Sequence, residues 1–168
     1  DDLHRGVLDG LLDKYGVKGL SEEEKDHVNK AWHRLNGWPD SAPGLTRLKK
    51  KFFIATLSNG NVALLANMGK HAGLPWDCIL SAELYRGYKR EPKIYIGACE
   101  TLGLKRHEVM MVAAHGDDLD AARKQGLRTA YVARPGEYAP GREPQVKAEG
   151  GYDMEARDFL DLAEKLGA

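Results

Sequence analysis

Cysteine is scarce in this chain. Cys78 and Cys99 are the two in 168 residues, each alone in an apolar stretch. That suits reduced core thiols of a cytosolic protein and excludes a disulfide-stapled scaffold. Excess charge of either sign is missing as well: 25 basic and 25 acidic side chains balance to a formal net charge of +0. No global field then draws in nucleic acid or an anionic membrane. The longest basic cluster, Lys49-Lys50-Lys51, reads as the solvated entrance to a strand rather than a binding patch. No apolar run approaches the ~20 residues that a spanning helix needs. No stretch reads as a signal peptide, and neither an internal repeat nor a low-complexity tract is present. The chain opens on Asp1-Asp2 rather than Met and enters a helical pattern at once, so it is expected to be a fragment or a processed product. What remains is enough for one domain, or a domain with a small appendage, burying a sizeable core.

The rest of the chain is organised around Lys50-Lys-Phe-Phe-Ile-Ala-Thr-Leu-Ser-Asn-Gly-Asn61. Residues 52–57 are an unbroken apolar run of strand formers, read as a fully buried strand. The run stops at Ser58-Asn59-Gly60, and a helical pattern (Val62, Leu64, Leu65, Met68) begins directly after it. In open α/β sheets, ligands bind where strands pass into helices. A hydroxyl, an amide and backbone N–H groups at a helix N-terminus suit a carboxylate or phosphate. An ordinary Ser/Asn helix cap explains the same residues equally well.

Upstream, Leu3, Val7, Leu8, Leu11 and Leu12 have helical spacing, stopped at Gly16. Ser21 to Glu24 is a capping box, opening a helix through Val28, Ala31, Trp32 and Leu35 to Asn36-Gly37. The two helices are expected to form a hairpin, with Trp32 and Trp38 as packing residues. A short helix from Pro43 reaches Lys49–Lys51. Downstream, the helix from Asn61 ends near His71-Ala72-Gly73, and residues 76–80 form a second strand. A polar loop carries Tyr85 to Glu91, and a helix begins at Pro92 with Ile94, Tyr95, Ala98 and Leu102 on one face. Residues 109–114 make a third buried strand, delivering His115-Gly-Asp-Asp118. A helix covers 119–124, a fourth strand 128–133, an exposed Gly/Pro-rich loop 134–151 and a final amphipathic helix 154–166. Strands alternating with helices predict βαβ units, hence a parallel sheet with right-handed crossovers.

Three strand ends carry suspicious chemistry: Ser58-Asn59, the loop lysine Lys89, and His115 with Asp117 and Asp118. In a parallel sheet these ends share one edge. A lysine and a carboxylate beside an anion-binding loop suit a reaction on an anionic substrate. Taken singly, the acidic residues fit the start of a helix and Lys89 fits a surface charge.

The order Leu-Ser-Asn-Gly, then Tyr-Lys-x-x-Pro-x-x-Tyr, then Met-Val-Ala-Ala-His-x-x-Asp-Leu-x-Ala-Ala resembles the haloacid dehalogenase superfamily, and within it the type II 2-haloacid dehalogenases. Arg134-Pro-Gly-Glu-Tyr and Ala156-Arg-Asp-Phe-Leu-Asp-Leu also look typical of that branch. The resemblance implies an α/β, Rossmann-like core over residues 43–168 and part of a helical cap over residues 1–42. It implies that Ser58 and Asn59 hold the substrate carboxylate, and that Lys89 stabilises a nucleophilic aspartate. Tyr95 would join the same network, and Asp118 would position or activate water. His115 falls in the pocket where better-known relatives carry asparagine, Ala113 where they carry serine, and Arg90 replaces a common proline.

The implied activity is hydrolytic dehalogenation of short 2-haloalkanoic acids through an aspartyl ester. The substrate would be a small anionic 2-haloacid, with halide released and no cofactor. The phosphatase branch grips Mg²⁺ with an acidic pair, and Ala114 stands on the first of those positions. Alanine cannot ligate a hard cation, so no metal site is expected. The family's first strand, patterned like Phe-Asp-x-x-Gly-Thr, has no match in this sequence, nor has the cap arginine that receives halide. The isolated chain is therefore expected to be marginal and inactive alone, with a homodimer or a separate N-terminal segment as its partner. A Mg²⁺-dependent phosphatase and a non-catalytic remnant that binds carboxylates or a protein partner stand as alternatives.

Overall fold

The structure, a computed structural model, describes residues 1–140 and 150–168. Two helices, α1 (Asp2–Lys14) and α2 (Glu22–Asn29), come first and form the hairpin that the sequence predicts. The Ser21–Glu24 capping box is fully formed, and Arg5 of α1 reaches Glu22 of α2 at 2.5 Å. The second helix does not run on to Gly37. It tightens into a 3-10 turn at Lys30–Arg34, and this turn seats the hairpin on the domain. There His33 is buried, with Nε2 2.9 Å from Asp1 Oδ1 and Nδ1 2.9 Å from the Asn67 amide. Burial, reinforced by nearby Lys30, pushes the His33 pKa down. The ring therefore stays neutral there, taking the Asn67 N–H on Nδ1 and donating from Nε2 to Asp1. Trp32 and Trp38 are roughly half exposed and pack through one face each. Trp32 stacks on His4, and Trp38 lies against a guanidinium.

Then α3 (Ser41–Lys49) leads into β1 (Ala55–Ser58), α4 (Val62–Ala72) and β2 (Cys78–Ser81). After a polar loop come α5 (Pro92–Leu102), β3 (Met110–Ala113), α6 (Gly116–Lys124) and β4 (Arg128–Val132). The final stretch is not one helix: Met154–Ala156 is a fifth strand, β5, and α7 is Phe159–Lys165. The split has a local cause. Asp158 caps α7 by accepting the Asp161 N–H at 2.8 Å, and β5 lines up beside Ala130–Val132. Of the expected loop at 134–151, residues 141–149 lie outside the described residues.

Every strand pairing is parallel, as the alternation implied. The strands do not form a single ladder, however. β1 pairs with β2, and β3 pairs with β4 and β4 with β5, giving a two-stranded and a three-stranded sheet. Among the described residues, one edge of β1 and one edge of β3 carry no ladder partner. This explains a further departure from expectation: β1 and β3 are half-buried along their length, not fully buried. Phe52 and Phe53 precede β1 and are 38% and 60% exposed. The Phe52 N–H closes the last turn of α3 on the Leu48 carbonyl.

Side chains bridge the two sheets where hydrogen bonds do not. On one face α3 and α7 bury Leu45, Leu48, Leu162 and Ala163 against Ala130, Val132 and Ala156, with Ile54, Met110 and Val112 packed in. On the other, Tyr95, Cys99, Ala122 and Leu127 meet Leu57, Val109 and Met111. Successive β3 residues alternate between the faces, as the strand period requires. Among the described residues, no helix is long and apolar enough to cross a membrane.

In this framework α3 lies directly on α7 at Gly44. A Cβ added at Gly44 would lie 2.4 Å from Phe159 Cβ and 2.7 Å from its carbonyl carbon. Replacing Gly44 by Ala is expected to destabilise the domain by about 1–3 kcal/mol through overpacking. Urea unfolding of the two proteins side by side checks it.

Candidate active site

The strands of the described residues point their carboxyl ends toward loops, and three of those loops meet. Ser58 ends β1, Lys89 sits in the loop beyond β2, and Asp118 lies in the first turn of α6 just past β3. Lys89 Nζ donates to Asp118 Oδ2 at 2.7 Å, and the Tyr95 hydroxyl donates to Asp118 Oδ1 at 2.7 Å. Lys89 and Asp118 side chains are each 13% exposed, and Tyr95 is fully buried. One carboxylate thus accepts from two side chains that arrive on different elements. Burial and the Asp118 charge both push the Tyr95 pKa up, so the phenol remains a donor throughout the neutral range.

The Lys89 loop is held from both sides. Its backbone N–H donates to Asn59 Oδ1 at 2.7 Å. Glu91 accepts the Tyr88 N–H at 2.7 Å and pairs with Lys93, and these contacts lower its pKa. Asn59 therefore spends its oxygen on the loop, and its amide NH₂ makes no hydrogen bond among the described residues. Ser58 Oγ accepts the Gly60 N–H at 3.1 Å, which leaves the hydroxyl proton for another acceptor. The pair presents donors, as an anion site requires.

Part of the backbone of the expected anion site is already engaged. Glu83 accepts the Val62 N–H at 2.9 Å, and Asn61 accepts the Leu64 N–H at 2.7 Å. With Gly60 taken by Ser58, the start of α4 is an ordinary capped helix end. The donors left here are the Ser58 hydroxyl, the Asn59 amide and the backbone N–H groups of Asn59, Asn61 and Ala63, for which no acceptor is found among the described residues.

His115 stands apart from the Lys89–Tyr95–Asp118 cluster. Its Nε2 lies 2.9 Å from Glu137 Oε1 and 3.0 Å from the Tyr138 hydroxyl, and its side chain is 49% exposed. Arg90 pairs with Asp117 at 2.5 Å, parallel to the neighbouring Lys89–Asp118 pair. The sequence marks Glu137 and Tyr138 only as part of a family-like segment in an exposed loop and Arg90 as a departure, and assigns none of the three a contact. The Arg-Pro-Gly-Glu-Tyr segment did carry a signal, since Pro-Gly marks a tight reversal.

The acidic pair does not fit a divalent cation. Asp117 is paired with Arg90 and Asp118 with Lys89, and Ala114 stands where the phosphatase pattern has its first acid. Among the described residues, no three His, Cys, Asp or Glu side chains form a metal-binding group.

Replacing Tyr95 by Phe is expected to cost about 1.5–3 kcal/mol at neutral pH, the worth of a hydrogen bond to a charged group. Because the folded pKa is raised above the ordinary 10.0, the hydroxyl's contribution is complete below that value. It is lost as pH rises beyond it. Denaturant midpoints of the two proteins should therefore converge in alkali.

A family model for haloacid dehalogenase-like hydrolases matches residues 4–126. The chain is 37% identical over 131 residues to the (S)-2-haloacid dehalogenase 4A of Burkholderia cepacia, covering 73% of this chain and 55% of that protein. It spans about half the length of the curated relatives it matches. The crystal structure of an L-2-haloacid dehalogenase superposes with a TM-score of 0.93 at 46% identity, covering 98% of this chain and 72% of that one. A defluorinating L-2-haloacid dehalogenase gives 0.93 at 43% identity, covering 99% and 69%. With the fold, the strand-end residues and the family match in agreement, the chain belongs to the haloacid dehalogenase-like hydrolases.

Proposed function

We propose that this chain supplies the substrate-holding and hydrolytic half of a 2-haloacid dehalogenase site. The observation that carries the reading is Asp118 held jointly by Lys89 and Tyr95, with the Lys89 loop fixed through its backbone N–H by Asn59 at the end of β1. Ser58 and Asn59 would bind the carboxylate of a short 2-haloalkanoic acid. A carboxylate nucleophile would displace halide from the α-carbon and leave an aspartyl ester. Water would then cleave that ester at its carbonyl, releasing the 2-hydroxy acid and restoring the carboxylate. Asp118 would orient or deprotonate the water, and Lys89 would offer its remaining N–H donors to the nucleophile. His115 would border the substrate pocket.

The nucleophile itself has no match in these residues. In this reading it rides on a strand laid between β1 and β3, whose facing edges lack ladder partners among the described residues. That slot would bring an aspartate beside Ser58, Lys89 and Asp118. Residues 1–42 would form part of a cap over the core of 43–168, and the free thiols fit a cytoplasmic setting.

Adding a peptide of the pattern Phe-Asp-x-x-Gly-Thr to the chain is expected to raise its melting temperature and to start halide release from 2-chloropropionate. A chain that already melts cooperatively at high temperature, with neither quantity altered by the peptide, would sink the reading. A requirement for Mg²⁺, with phosphate released from a phosphate ester, would instead bring the phosphatase forward. For the anion site, Asn59→Ala should weaken 2-hydroxy acid binding by about 1.5–3 kcal/mol, the loss of one hydrogen bond to a charge. Calorimetry showing unchanged affinity would remove Asn59 from the site.

A further inference from the structure

Arg134 lies just past β4, far in sequence from the helical hairpin, yet it is locked onto the segment that leaves that hairpin. Its two terminal nitrogens donate to Asp40 Oδ1 and Oδ2 at 3.0 and 2.9 Å. The guanidinium is 5.4 Å from the Trp38 ring centroid and 5.1 Å from that of Phe159. Asp40 Oδ2 also accepts the Phe159 N–H at 2.8 Å. The two side chains are 9% and 14% exposed. Burial opposes the charge on Asp40, but the Phe159 N–H and Arg134 outweigh it and hold the carboxyl below its ordinary pKa. A planar cation between two rings with a two-pronged carboxylate contact has one well-defined orientation, which a lysine could not reproduce.

Beyond Arg134 the chain reverses tightly. Pro135 fixes its own φ, Gly136 sits at φ +83°, and the Glu137 N–H returns to the Arg134 carbonyl at 3.2 Å. Proline and then a left-handed glycine is the pattern of a type II turn. The two residues emerging from it, Glu137 and Tyr138, both reach His115 Nε2. A turn this short carries the position of Arg134 directly to those side chains. The Glu137 carboxylate makes Nε2 the protonated nitrogen of the neutral ring, and Nδ1 makes no hydrogen bond among the described residues. The other charges on this rim are Asp117, held by Arg90, and Asp118, held by Lys89.

We propose that Arg134 is a positioning residue: its clamp on Asp40 sets the turn that holds Glu137 and Tyr138 against His115, coupling the seat of the hairpin to the imidazole at the mouth of the site. The coupling rests on the proposed function only for what His115 faces. Its test uses the chain without substrate, so failure of the dehalogenase reading would leave the result standing.

The measurement is the tautomer of His115, read from ¹⁵N shifts of histidine-labelled protein and assigned by the signal lost in His115→Asn. The Nε2–H form should predominate by about tenfold or more, the factor that one ionic hydrogen bond supplies. Arg134→Lys and Asp40→Asn should each return the ratio toward that of free histidine. Glu137→Gln should do the same while leaving the clamp intact. Leu80→Ala, in the other sheet, lowers stability without touching the turn and should leave the ratio unchanged. Should Arg134→Lys fail to fold, Gly136→Ala tests the same link by straining the turn alone. An unchanged ratio in Arg134→Lys, or in the variant that replaces it, makes Arg134 a purely structural residue and overturns the proposal. So does an unchanged ratio in Glu137→Gln, or a loss in Leu80→Ala equal to that in Asp40→Asn.

Discussion

A carboxylate that is almost out of water is costly unless donors surround it, and Asp118 has Lys89 on one oxygen and Tyr95 on the other. The three residues come from the loop beyond β2, from α5 and from α6. Their meeting therefore fixes how the two separate ladders sit side by side. No backbone hydrogen bonds join β1 to β3 among the described residues. The link at this edge is made of side chains: Asn59 to the Lys89 backbone, Lys89 to Asp118, and Arg90 to Asp117. Removing one member of a buried ion pair costs about 3–5 kcal/mol, because the other is stranded.

Around this centre the polar groups sort into donors that are spent and donors that remain. Glu83 accepts the Val62 N–H and Asn61 that of Leu64 at the start of α4, and Ser58 accepts that of Gly60. The donors left at this edge are a hydroxyl, an amide, the unspent N–H groups of Lys89 and the backbone N–H groups of Asn59, Asn61 and Ala63.

A second polar assembly lies on the rim, where Arg134, Asp40, Glu137, Tyr138 and His115 run from the hairpin seat to the end of β3. It depends on the Pro135-Gly136 reversal, just as the close packing of α3 on α7 depends on Gly44. Both are places where the backbone, not the side chain, sets the geometry. Stability and site shape meet there, since Asp40 serves the packing of α7 through the Phe159 N–H and the rim through Arg134.

The sequence by itself determined the elements whose signals are local. The Ser21–Glu24 box, Pro92 at the start of α5, the glycines that end α4 and α5, and the apolar runs of β1 and β3 all act within a few residues. Their alternation was enough to imply parallel pairing. Motif order likewise brought Ser58, Asn59, Lys89, Tyr95 and Asp118 together as one group. Only the tertiary structure decided the rest. Met154–Ala156 became a strand because β4 offered an edge, although its pattern suits a helix. Phe52 and Phe53 stayed exposed because burial depends on neighbours and not on hydrophobicity alone. His115 turned to Glu137 rather than to Asp118, and Arg134 found Asp40, because charged side chains choose partners by distance in space. The chain crossovers create that distance, and no spacing along the sequence records it.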